Sequence, residues 1–517
     1  MGKKYKTSLT RRQALSAVGV AGLAGFAGCT SGDSGSEIPK PSEEVRSREE
    51  GIEVWGTELN RHAREAGIDW QMFEGEGIEL NFLMGLHKYS TTTEPMIPYF
   101  EDLTGISVNY EVVQEDNYWK RVREAMRNEE DFDGYMIGNW PAGEYHEPGW
   151  AVDLNKFIED EELTDQDWLA MDDFMDQTID FMTFPDENGG ESFIGFPNGI
   201  EVYGCVGCDR ETYDTLGLDD PETFADLEAN AQAISESDEV DQEGMVSRAS
   251  TATLSAANFG TMFRSHDARW IDRRLLLEED DPDPSEVALL NSDNGVEALE
   301  RFGSILYNYG PQDASRQDWY GNNATYNNGE VGMIYSTPQT SGFIDTDRIG
   351  ETRWLPPLET EDGRERVGDT WVWSTGISSH VSEQQQKAAW LYLQWVNSRA
   401  ANFLLSTHQW ADDEPRAGHA RFEWIWDQDM YTYPKVDGNM NYEEVFEEGM
   451  DLVPTSPPPI PADTPQNMEI MSQVANAMSR TVANGANNAE AELNAIEEGV
   501  GTAAKRIPDR YIARHAE

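Results

Sequence analysis

The sequence predicts an α/β protein built on parallel strand pairs, and three observations carry that prediction. Between positions 78 and 112 the apolar period changes twice. Ile78, Leu80, Phe82 and Met84 alternate as in a strand; Met96, Phe100 and Leu103 follow helical spacing; Ile106, Val108, Tyr110 and Val112 alternate again. A strand, a crossing helix and a second strand make a parallel pair, because parallel strands need a crossover connection. Strand-like and helix-like segments go on alternating to the end of the chain. Finally, 517 residues with 10% aromatics, 16 of them Trp, supply enough apolar surface for a sizeable core in two or three domains.

The first segment, 10–29, is an export signal. Arg11 and Arg12 precede an uncharged run of small and apolar residues, a twin-arginine pattern. The run is shorter than the roughly 20 residues a membrane-spanning helix needs. It ends Phe26-Ala27-Gly28-Cys29, which resembles a lipoprotein processing box with Cys29 as the lipidated residue. An uncleaved membrane anchor is the alternative. Either places the protein outside the cell, at the membrane surface. A Ser/Gly/Asp tether follows, then a polar helix over 44–66, with the globular part starting near Gly77.

In the β-α-β unit Gly105 ends the helix. Tyr118, Val122 and Met126 mark the next helix, and Tyr135 to Ile137 a short strand. Loop tips fall at 87–93, 114–117 and 138–145, each after a strand, where ligands bind in open α/β sheets. Beyond them, 193–208 reads as extended, 221–235 and 295–309 as helices, and 331–335 and 372–378 as strands. Ser382 with Gln385 predicts a capping box for a helix to Asn397. A proline-rich break at 454–465 precedes a helical pair over 466–505.

The charge is extreme: 38 Lys and Arg against 97 Asp and Glu give −59. Dispersed acid with scarce lysine resembles proteins of extreme halophiles, haloarchaea included. In molar salt the screening length is about 3 Å, which relieves the self-repulsion. Nucleic acid is excluded as a partner, since its phosphates would be repelled. Cys205 and Cys208 form a C-x-x-C. Three readings stand: small buried residues, a local disulfide in a turn, or half a metal site. In a strand their Cα atoms would lie roughly 10 Å apart, too far for a disulfide. Asn323-Ala324-Thr325 is a lone glycosylation sequon.

Several segments, in order, resemble the extracellular solute-binding proteins of ABC importers, in their large sugar-binding group. They are the run Pro98 to Val108 (Pro-Tyr-Phe-Glu-Asp-Leu-Thr-Gly-Ile-Ser-Val); Phe132-Asp133-Gly134; the run Gly149 to Leu154; Gly195-Phe196-Pro197 with the run Cys208 to Tyr213; the run Pro221 to Leu227; the run Asn328 to Met333; and the run Thr375 to Ser379. The resemblance spans about 77–505. It implies a two-lobed, periplasmic-binding-protein-like α/β fold with a hinged cleft, closing on a solute and then docking on a membrane permease. The implied division is 1–29 signal, 30–76 tether and leading helix, 77–198 plus 368–410 lobe 1, 199–367 plus 411–505 lobe 2, and 506–517 tail. The partners expected are a small-molecule sugar, ABC permease subunits and the lipid at Cys29, with the protein itself a monomer. No cofactor or metal is expected.

A sugar site needs flat aromatic platforms and a few polar groups in the ring plane. Trp140, beside Asn139 after a strand, suits a platform. Trp371 and Trp373, two apart, face one side of a strand. Asp369 just before them suits a hydroxyl acceptor. Glu201 and Tyr203 lie at the other crossover, and His87 and Tyr89 follow the first strand. Trp319, Tyr320, Ser336, Gln339 and Trp410 are further candidates; Tyr118 and Trp119 read as helix packing. Each binding candidate has a plain alternative: core plug, inter-lobe packing or surface loop. Lys88 and Arg416 offer little to an organic phosphate. Among other functions, a secreted glycoside hydrolase needs two carboxylates across a cleft, a test that 97 acids make uninformative. No H-E-x-x-H, G-x-S-x-G or Walker loop is present. A surface scaffold or sensor, or a binder of polyamine or glycerol phosphate, are the remaining alternatives.

Overall fold

The computed structural model describes residues 48–343, 348, 350–364, 366–407, 442–453 and 460–514. The signal with Arg11, Arg12 and Cys29, the tether, and the candidates Trp410 and Arg416 lie outside the described residues. The strands are β1 (Glu79–Gly85), β2 (Ser107–Val113), β3 (Gly134–Gly138), β4 (Thr183–Pro185), β5 (Glu191–Phe193), β6 (Phe196–Tyr203), β7 (Cys205–Asp209), β8 (Glu243–Val246), β9 (Val331–Ser336), β10 (Thr352–Leu355) and β11 (Asp369–Ile377).

The predicted β-α-β unit is present. Helix Ile97–Thr104 crosses between β1 and β2, which pair in parallel from Glu79↔Ser107 to Gly85↔Val113. Gly105, at φ 75°, ends the helix in the left-handed conformation that costs glycine least. β3 joins the other side of β1 in parallel. β11 and β6 extend the sheet antiparallel, giving the order β2-β1-β3-β11-β6. Every residue of β3, β6 and β11 is buried, as strands covered on both faces require. A second sheet has the order β10-β7-β9-β8, and β4 pairs with β5 alone.

The chain passes from the first sheet to the second through one residue. β6 ends at Tyr203, Gly204 takes φ +94°, and β7 begins at Cys205. It returns between Leu355 and Asp369. The capping box of Ser382 and Gln385 opens helix Glu383–Val396 as predicted, and helices Asn467–Asn484 and Ala489–Ala504 form the expected pair.

Three expectations are corrected. The three loop tips are helix starts: Lys88–Thr93, Glu115–Arg127 and Asn139–His146. The body begins before Gly77, because helix Arg48–Ala63 buries Trp55, Leu59 and Ala63, one face at intervals of four. Trp395 Nε1 donates to Asn60 at 3.1 Å and Trp168 Nε1 to the His62 carbonyl at 3.1 Å, fixing the helix to the body. The tail is packed too: Tyr511 and Ile512 are buried, with Tyr511 Oη 2.6 Å from His146 Nδ1. Asn323 is 3% exposed, so the folded protein does not present the sequon for glycosylation. Cys205 and Cys208 are free, buried residues of β7 whose thiol pKa values burial raises.

Asp133, just before β3, accepts the Asn81 N–H at 2.7 Å through Oδ2, while Oδ1 has no hydrogen-bond partner. Burial pushes its pKa up to about 6. A carboxyl whose folded pKa lies above its unfolded value favours folding below that unfolded value, and the contribution fades as pH rises through the folded one. Asp133→Asn keeps the acceptor and removes the charge. Its melting temperature relative to the original protein should rise between about pH 4 and about pH 7. Thermal melts at both pH values check this; an unchanged difference refutes it.

Candidate functional site

Three strand-to-helix junctions each deliver one side chain to a common cavity. His87 caps the helix after β1, Glu115 opens the helix after β2, and Trp140 sits in the first turn after β3. Glu201 and Tyr203 come from β6, and Trp371 and Trp373 from β11; both pairs are two apart and share a face. Arg248 just after β8, Leu254 in the turn Thr253–Ser255 and Trp319 at the start of helix Trp319–Asn327 complete the lining. Together they line one narrow space that opens in part to solvent.

Glu201, 2% exposed, is clasped by donors. Trp373 Nε1 donates at 2.7 Å and Tyr203 Oη at 2.9 Å, and His87 Nε2 lies 3.5 Å away. His87 Nδ1 accepts the Tyr89 N–H at 3.4 Å, which leaves the ring proton on Nε2, facing the carboxylate. Burial, then Glu201, raise the Tyr203 phenol well above its ordinary pKa, so it remains a donor. Asn139 brackets β11: its Nδ2 donates to the Thr370 carbonyl and its Oδ1 accepts the Val372 N–H. Trp140 Nε1 donates to that same carbonyl at 3.1 Å, which fixes its ring.

The rings form a continuous aromatic wall. Trp371 meets Trp140 edge-on at 4.8 Å between centroids, and Trp373 lies 4.4 Å from His87. Trp119 backs both indoles at 5.2 and 5.9 Å, in keeping with its reading as packing. Two glycines make room. Trp373 pairs with Gly138 on β3 and with Gly199 on β6. A Cβ on Gly138 would lie 2.1 Å from the Trp371 ring, and one on Gly199 would lie 2.1 Å from Tyr89 Oη. Beside Gly199, the β6–β11 register shifts between Trp373 and Ser374, an irregularity that re-aims side chains.

Of the sequence candidates, His87, Trp140, Glu201, Tyr203, Trp371, Trp373 and Trp319 line this cavity. Tyr89 stands behind it, stacked on His87 at 4.7 Å. Asp369 does not line it. It lies where β11 begins, opposite Tyr203, with Oδ1 accepting the Thr370 N–H and a pKa that burial raises well above the carboxylate range. Ser336 and Gln339 are buried where the sheets meet, Gln339 Oε1 accepting the Val202 N–H at 3.3 Å. Tyr320 does not line the cavity either and donates to the Leu86 carbonyl, just after β1, at 3.0 Å. Glu115, Arg248 and Leu254 were missed by sequence reasoning. No cluster suited to a metal occurs among the described residues.

Aromatic faces with polar groups in their planes suit C–H surfaces and hydroxyl edges. The wall also keeps donors unspent: Trp371 Nε1, Trp319 Nε1 and Arg248 Nε are buried without a hydrogen-bond partner.

Comparisons with known proteins agree. The family profile described as "Bacterial extracellular solute-binding protein" matches residues 86–403. A curated relative, the erythritol/L-threitol-binding protein of Mycolicibacterium smegmatis, is 23% identical over 347 residues, 64% of this chain and 69% of that protein. A D-mannitol-bound ABC transporter solute-binding protein from Agrobacterium vitis S4 superposes with TM-score 0.68 at 16% identity, covering 84% of this chain and 100% of the other. A ribitol-bound counterpart from Agrobacterium radiobacter K84 gives 0.66 at 16%, over 83% and 99%. Maltose-bound T. maritima MalE3 gives 0.65 at 15%, over 82% and 100%. With the fold, the aromatic cavity and a match across most of the described body, this chain belongs to the bacterial extracellular solute-binding protein family.

Proposed function

We propose that this protein is the substrate-binding subunit of an ABC importer, exported by the twin-arginine signal, anchored through Cys29, and working in high salt. The halves built on the two sheets are its lobes, hinged at Gly204 and at the return between Leu355 and Asp369. Its ligand is a small neutral polyol or sugar, delivered unchanged to a membrane permease. The observation that carries this reading is the cavity where Trp140, Trp371 and Trp373 surround Glu201. Relatives of this fold bind erythritol, ribitol, mannitol and maltose.

Calorimetry in molar potassium chloride with erythritol, ribitol, D-mannitol and maltose tests it. We expect affinity near or below micromolar for at least one, about −8 kcal/mol, with no change in the recovered solute. Binding of none of them, or turnover of one, refutes the reading.

On this reading the Tyr320 hydroxyl, bonded to the Leu86 carbonyl after β1, ties one lobe to the other. Tyr320→Phe removes that bond, worth about 1 kcal/mol. The variant should therefore populate the open form more and bind several-fold more weakly. Small-angle scattering of the unliganded protein checks this: an unchanged radius of gyration counts against the contact as a latch.

A further inference from the structure

Arg248 follows β8 and is 4% exposed. Its guanidinium carbon lies 5.5 Å from the Trp319 ring centre. Its Nε has no hydrogen-bond partner, and no carboxylate among the described residues forms an ion pair with it. A guanidinium nitrogen removed from water without a partner is costly, so such groups are paired in nearly every fold. Here the missing acceptors must come from whatever occupies the cavity.

Two acceptor classes match a planar fork: a carboxylate, or two neighbouring oxygens of a diol. The cavity distinguishes them. Glu115 and Glu201 line the same space, so two carboxylates face one guanidinium. An anionic solute meets more repulsion than attraction, and an ammonium group, though attracted by the carboxylates, has no lone pair to offer Arg248. A hydroxyl satisfies both sides, accepting from Arg248, Trp319 and Trp371 while donating to Glu201.

Arg248 also has a mechanical position. Of the residues lining the cavity, only Arg248, Leu254 and Trp319 belong to the half built on the second sheet, and only Arg248 is charged. A ligand shifts an opening equilibrium only through its differential affinity for the two forms.

We propose that Arg248 is the specificity-determining residue of the cavity: its fork grips two neighbouring hydroxyl oxygens of a neutral polyol, and that grip draws the second half over the solute. The inference rests on the polyol reading above and deepens it.

The test compares the original protein with Arg248→Met and Arg248→Lys, using calorimetry and scattering with ribitol, D-mannitol and gluconate. Arg248→Met should weaken binding of the preferred alditol about 10- to 100-fold, the worth of charge-assisted hydrogen bonds, and reduce compaction at saturation. Arg248→Lys, with charge but no fork, should recover only part of the affinity. Should Arg248→Met fail to fold, the unaltered protein with a deoxy-alditol lacking one of two neighbouring hydroxyls should show a comparable loss. Affinity of Arg248→Met within about twofold of the original, or full affinity for every deoxy-alditol, overturns the proposal while leaving the polyol reading intact. Tighter binding of gluconate than of any alditol overturns the diol assignment. No binding of any neutral polyol or sugar by the original protein overturns the underlying reading, and is seen without any variant.

Discussion

Trp373→Ala is expected to destabilise the protein by about 3–5 kcal/mol, the usual cost of emptying a buried Trp site, and to abolish ligand binding. The indole is 4% exposed and packs on His87, Trp119 and Trp371. Its Nε1 also supplies a hydrogen bond that holds Glu201. Removal leaves a void on one side and a buried carboxylate short of a donor on the other, and each is a recognised source of large losses. Trp373→Phe separates the two: it keeps most of the volume and loses the N–H. Denaturant unfolding should place it between the original protein and the alanine variant, while calorimetry should still show much weakened binding. A Phe variant with full affinity would mean that Glu201 needs no positioning.

Gly138→Ala adds one methyl group and should lower both stability and affinity. The new carbon would lie 2.1 Å from the Trp371 ring, which is itself wedged against Trp140 and Trp119. Overpacking of this kind costs about 1–3 kcal/mol, and the ring that must move lines the cavity. Gly217→Ala is the control. Gly217 has φ +64° with no heavy atom within 4 Å of the added carbon, so alanine there should cost stability through backbone strain alone and leave the binding constant unchanged. Equal affinity of Gly138→Ala and the original protein would show that Trp371 does not contribute to binding.

The features readable from sequence were those with a period. Two-residue spacing placed Trp371 with Trp373 on a shared face, and both line the cavity, as do Glu201 and Tyr203 from the other crossover. The change of period around Gly105 gave the parallel pair. What failed had no period to read. Asn139–His146 carries Pro141 and Gly143 and is buried nearly all round, so no apolar stripe marks it as a helix. Pro141 is tolerated there because the first turn needs no N–H partner. The leading helix read as a spacer because its acids hide the stripe of Trp55, Leu59 and Ala63. Arg248 stands in Ser-Arg-Ala-Ser, a run with no local signature, and long-range packing alone brings it to the cavity. Glu115 was one acid among 97. Asp369 was read as lying just before Trp371 and Trp373; it begins their strand and falls outside the cavity lining.

The passage at Gly204 has one more consequence. On the hinge proposed above, Tyr203 adjoins the pivot and Glu201 lies three residues from it, about 10 Å along the strand. In any rotation about that point, displacement grows with distance from the axis. These two groups therefore ride on a short lever arm and hold their places while more distant groups sweep through wider arcs. A solute resting against them first would meet the same footing whether the jaws are apart or shut.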